Sequence, residues 1–152
     1  MPNQNTTAEQ TYRILMIIWF ALFMTQFMFF VVIYLAKPEL FSFDFTKGFL
    51  GDNPPVILAF ALVGVSNLML SIFLRKKFVD RAIEEQRPAL VQTGMIIGCA
   101  LSESITLIGL FLAFAFSYQY FFIFISLGIV GMIFHFPQRD TIHQASFKGG
   151  KV

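Results

Sequence analysis

Four apolar runs, at residues 14–36, 54–74, 89–116 and 120–136, leave this chain little choice of fold. A helix needs about 20 consecutive apolar residues to cross a hydrocarbon core about 30 Å thick. In that solvent a helix satisfies every backbone hydrogen bond within its own segment. The first run, ILMIIWFALFMTQFMFFVVIYLA, is longer than a signal-peptide core and has no small-residue cleavage site after it. Composition agrees: 57% of residues are hydrophobic and 13% charged, against about 45–50% and about 25% in soluble domains. The expectation is an all-α integral membrane four-helix bundle forming a single domain, with the bilayer as its first partner.

Boundaries follow from local signals. Asn53 followed by Pro54 and Pro55 marks the start of the second helix, Pro88 opens the third, and Pro137 ends the fourth. Beyond residue 74 the second helix is expected to continue to 87 as a charged amphipathic extension, with Lys76–Asp80 and Arg81–Glu85 as i,i+4 pairs. Arg75, Lys76, Lys77 and Arg81 form a solvated face there that could dock a membrane protein partner. Trp19 and Tyr34 are candidate interfacial anchors. In the loop 37–55, Phe41, Phe43, Phe45 and Phe49 predict a segment lying in the interface. Basic residues set the orientation. Arg13, Arg75, Lys76, Lys77, Arg81, Arg87, Arg139, Lys148 and Lys151 flank one side, and Lys37 and Lys47 the other. The positive-inside rule then places both termini and the 75–88 loop in the cytoplasm of a multi-pass protein, read as one of a bacterial inner membrane.

Much chemistry is excluded. Cys99 is the single cysteine, and His135 and His143 are isolated, one expected at the interface and one in water, so neither a disulfide nor a metal site is expected. No nucleotide-binding loop or nucleophile elbow occurs, so neither a cofactor nor an enzyme activity is expected. A net charge of +2 is too small to suggest nucleic acid as a partner.

What remains is a carboxylate at mid-span. Glu103 sits near the centre of the third run, flanked by Ser102, Ser104 and Thr106. A charged group at that depth costs about 3 kcal/mol or more, which makes it a functional-site hypothesis by default. Gln26 and Asn67 fall at similar depth in the first two runs. If these groups converge, they make either a hydrogen-bonded protonated carboxyl or an oxygen-rich cation site, and Gln26, Asn67, Ser102 and Thr106 are the candidate partners of Glu103. Burial disfavours a carboxyl's charged form, so the neutral form is the default unless a cation visits. Small residues supply packing faces: Gly94, Gly98, Ser102, Gly109 and Ala113 along the third helix, and Gly64 and Ser71 on the second.

The end of the second helix, the loop and the third helix resemble the hairpin of the rotary ATP synthase c subunit, or proteolipid. The residues that carry the resemblance are Glu85-Gln86-Arg87-Pro88 in the loop, then Ala100-Leu101-Ser102-Glu103-Ser104 and Ile108-Gly109-Leu110-Phe111-Leu112-Ala113. Family loops contain Arg-Gln-Pro where this chain has Gln-Arg-Pro, and the family's first hairpin helix carries a denser glycine repeat. The resemblance implies a homo-oligomer that can close into a ring, in which Glu103 binds a proton or cation. The alternative from another class is a non-transporting accessory or scaffolding protein, with Glu103 a protonated packing group.

Overall fold

The computed structural model describes residues 4–146 apart from 43, 45 and 47, with the backbone alone for 4–7. Phe43, Phe45, Lys47, Lys148 and Lys151, which entered the sequence argument, lie outside the described residues. The elements are α1 (Gln4–Ala36), a 3-10 turn (Pro38–Phe41), α2 (Pro54–Glu85), α3 (Pro88–Phe116), α4 (Phe122–Phe134) and α5 (Arg139–Ser146). Three of them, α1, α2 and α3, are long and apolar enough to cross a membrane, which makes the chain a helical multi-pass membrane protein. Their outward faces agree. Ile17 and Leu62 are 70% exposed and Met69 is 68% exposed. A continuous apolar surface of this kind belongs against lipid tails.

The fourth apolar run behaves differently from the other three. Its helix has 13 residues, about 20 Å of length, which is short of a hydrocarbon core. Pro137 breaks the chain, and α5 leaves at a bend of 44°. The run 120–136 thus holds α4 and stops before Pro137, and α5 follows it as a separate helix. That second helix was not expected, because RDTIHQAS reads as a polar tail. It forms because Ile142 and Ala145, three positions apart, bury one stripe against α1 and the α2 extension.

The helix ends are built mainly from backbone. Asn53 starts α2 through its carbonyl, which accepts from the N–H groups of Val56 and Ile57 at 3.1 and 3.2 Å, and its side chain makes no cap bond. At the other end Gln86 adopts a left-handed conformation (φ 52°). The Arg87 N–H then reaches Ala82 O at 2.9 Å, the wrap-around bond of a Schellman cap. This tight turn lays α3 back along α2.

Two apolar clusters result. One joins Ile33, Ile57, Ile105, Leu112 and Phe121 toward the end that carries the loop 37–53. The other joins Ala8, Leu15, Ala82, Met95, Met132 and Ile142 toward the end that carries the α2–α3 turn. At this second end α1 begins well before its apolar run and meets α5. Arg139 Nη2 lies 3.2 Å from Glu9 Oε1, and its guanidinium sits 4.7 Å from the Tyr12 ring centroid. Gln86 Nε2 donates to Gln144 O at 3.3 Å. Both terminal segments thus share one end of the bundle with the charged α2–α3 turn. At the opposite end the loop is strapped to the α3–α4 turn. Tyr118 donates its hydroxyl to Phe49 O at 2.9 Å, Gln119 Nε2 donates to Asp44 O at 2.9 Å, and Lys37 Nζ donates to Ser117 Oγ at 3.0 Å. Burial pushes the Tyr118 phenol above its ordinary pKa. The loop is more than an interfacial segment: its described part is tied to protein.

Candidate functional site

The polar groups of the mid-bundle are distributed around α3 in separate pairs. Glu103 is half-buried and faces α1, where its Oε1 lies 3.0 Å from Thr25 Oγ1. One turn further, Thr106 donates its hydroxyl to Gln26 Oε1, again across the α1–α3 contact. On the α2 side, Asn67 Nδ2 donates to Ser104 Oγ at 2.8 Å. Ser102 turns its hydroxyl back to Gly98 O at 3.0 Å within its own helix. Of the partners expected for Glu103, none bonds it: Gln26 is held by Thr106, Asn67 by Ser104, and Ser102 by the α3 backbone. The partner it has, Thr25, was legible only as a polar residue beside Gln26. No group of three or more metal-binding side chains occurs among the described residues.

Proton bookkeeping sharpens the Glu103 contact. A threonine hydroxyl has one proton to give. Thr25 Oγ1 lies 2.7 Å from Leu22 O, an acceptor, as well as 3.0 Å from Glu103 Oε1. The Thr25 hydroxyl therefore has two acceptors within reach, the Leu22 carbonyl and the Glu103 carboxyl.

The small-residue stripe of α3 is occupied along its length by the chain's own helices. A Cβ at Gly94 would lie 2.6 Å from Phe78 Cβ of α2. At Gly98 it would land on the His135 imidazole, and at Gly109 it would lie 2.9 Å from Phe121 O and from Phe124 Cβ. From the α4 side, a Cβ at Gly131 would come 2.6 Å from Ser102 Oγ, and one at Gly128 would overlap Thr106 Oγ1. Gly64 meets Ile105 and Phe124 at ordinary contact distances of 3.6 and 3.7 Å. Ser71 and Ala113 are fully buried. The close approaches at Gly94, Gly98 and Gly109 are thus made by Phe78 of α2 and by His135, Phe121 and Phe124 of the same chain.

Two residues turn into the protein. His135 is fully buried, with Nδ1 2.6 Å from Gly131 O and Nε2 3.3 Å from Ser71 O. The hollow left by Gly98 draws the ring in. A histidine four residues past a packing glycine, Gly131, was the available signal. Trp19 likewise turns inward, its Nε1 donating to Met132 O at 2.9 Å while the ring stacks on Phe23 at 4.8 Å. Tyr34 keeps an outward position at 55% exposure.

On the basic face, Arg75 is half-buried and donates Nη2 to Phe136 O at 2.8 Å. Arg81 pairs with Glu85 at 2.5 Å, as the i,i+4 spacing implied. Lys76 and Lys77 are exposed, and Lys76 does not close on Asp80. No family model, curated protein or solved structure matches this chain.

Proposed function

We propose that this protein is a non-transporting accessory or scaffolding component of a membrane, in which Glu103 acts as a neutral helix-packing group. The observation that carries this reading is the occupancy of the α3 stripe. Gly94, Gly98 and Gly109 are covered by Phe78, His135 and Phe121–Phe124 of the same chain. A ring resembling the proteolipid rotor needs small faces left open for the next copy, and close backbone approach supplies much of helix association in lipid.

Native mass spectrometry of the detergent-extracted chain should give one copy, or one copy with a different protein. A discrete assembly of many copies would overturn the reading in favour of the rotor-like one. Carbodiimide, which modifies accessible titrating carboxyls, should leave Glu103 unlabelled across pH. Glu103→Gln should hold stability within about 0.5 kcal/mol, because an amide can donate to Thr25 as the protonated acid does. Labelling that varies with pH, or loss of an ion flux in that variant, would restore the transport assignment.

In the same reading α4 is the fourth crossing, and α5 and both termini lie on the cytoplasmic side with the charged α2–α3 turn. Cysteines placed at the exposed positions Gln10 and Thr46 should then react with impermeant maleimide from opposite sides of the membrane, with Cys99 buried and silent. Labelling of both from one side would remove this topology.

A further inference from the structure

We infer that the cleft between the end of α2 and the α4–α5 bend is a binding site for the headgroup of an anionic phospholipid. The cleft encloses about 350 Å³. Arg75 and Lys76 provide two cations on one wall, Gln138 and Thr141 add hydrogen-bonding groups from the start of α5, and Ile72 and Phe134 form the apolar part. No carboxylate lines it. This separates it from the larger groove on the neighbouring face of α2, about 510 Å³, where Asp80, Glu84 and Glu85 offset Lys76, Lys77 and Arg81.

Depth and continuity select the occupant. Arg75 directly follows the apolar run 54–74, and Phe134 is the last residue of α4, so the cleft opens where the apolar spans end. Below it, Met69, Ile72 and Phe73 of α2 and Ile133 and Phe134 of α4 are all exposed. A phosphodiester in the cleft would have its acyl chains leaving along a surface that already faces lipid. Arg75 gives one donor to Phe136 O, and a guanidinium has five N–H groups in a fork suited to phosphate oxygens. Basic pockets between spanning helices are a physical match for acidic headgroups. A free inorganic phosphate would satisfy the cations but leave the apolar approach unused.

The test titrates the delipidated full chain in neutral detergent with phosphatidylglycerol, phosphatidylcholine or inorganic phosphate, counting bound lipid by native mass spectrometry. One phosphatidylglycerol per chain should bind, phosphatidylcholine should not, and inorganic phosphate should not displace the lipid. Lys76→Gln should weaken binding roughly five-fold, and the double change with Arg75→Gln roughly twenty-five-fold. Lys77→Gln, which removes an adjacent charge outside the cleft, should change it less than about two-fold. If Arg75→Gln unfolds the chain by circular dichroism, the comparison of Lys76→Gln with Lys77→Gln still decides. Equal binding of the neutral lipid, equal effects at 76 and 77, or full competition by inorganic phosphate would each overturn the assignment, the last by making this a soluble-anion site.

Discussion

Replacing Gly98 by alanine should destabilise the bundle by about 3 kcal/mol, read as a shift in the unfolding midpoint in detergent. The added methyl would land on the His135 ring, within van der Waals contact of both Cδ2 and Nε2. A lysine tip in that position could swing away at little cost. This ring cannot, because it lies between two backbone carbonyls, Gly131 O at 2.6 Å and Ser71 O at 3.3 Å, and is fully buried. Relief requires α3 and α4 to part, and that loosens the contacts of Gly109 with Phe121 and Phe124 as well. Two comparisons calibrate the result. Gly64→Ala meets only ordinary contacts at 3.6 Å and beyond, and Gly48→Ala meets nothing within 4 Å, so the latter should stay within about 0.5 kcal/mol. A double-mutant cycle of Gly98→Ala with His135→Ala should show coupling of about 1–3 kcal/mol, the pair costing less than the sum. If Gly98→Ala costs no more than Gly64→Ala, the histidine is not seated against α3.

Much of this architecture was legible because lipid is a demanding solvent. Run length alone located α1, α2 and α3, and prolines marked the first turns of α2 and α3. The charged extension of α2 to Glu85 followed from apolar residues at helical spacing and from the Arg81–Glu85 pair, which forms. What could not be read is how helix faces pair. A stripe such as Gly94–Gly98–Ser102–Gly109 says that a backbone comes close, and says nothing about whether that backbone belongs to the same chain. Here it is covered by Phe78, His135 and α4 of the same chain. Depth in the membrane misled in a related way. Gln26, Asn67 and Glu103 share a level, but they point to different partners because a helix turns about 100° per residue. The helix α5 was hidden for another reason: with only Ile142 and Ala145 on its buried stripe, eight residues carry too weak a period to stand out from a polar tail.

The Gln26–Thr106 contact gives the second large effect, and its sign depends on which partner is removed. Gln26 is fully buried, its Oε1 accepts from Thr106, and its Nε2 has no partner. Thr106→Val keeps the branched shape that packs against Gly128 but deletes the donor, leaving both polar ends of the Gln26 amide orphaned. Hydrogen bonds between helices in lipid average only about 0.6 kcal/mol. Stranding a buried polar group costs about 1–3 kcal/mol, so the expected loss is about 1.5 kcal/mol. Gln26→Leu removes the orphan altogether. Thr106 can then turn its hydroxyl to the Ser102 carbonyl one turn back, as threonines in helices do, and stability should match or exceed that of the original chain. The pair Gln26→Leu with Thr106→Val should therefore recover most of the loss of Thr106→Val alone, in the manner of a polar pair replaced by apolar groups of similar shape. Recovery would assign Gln26 to packing. A Gln26→Leu variant that unfolds, or that loses binding to a partner while remaining folded, would instead make the unpaired Nε2 a group held ready for something outside the chain.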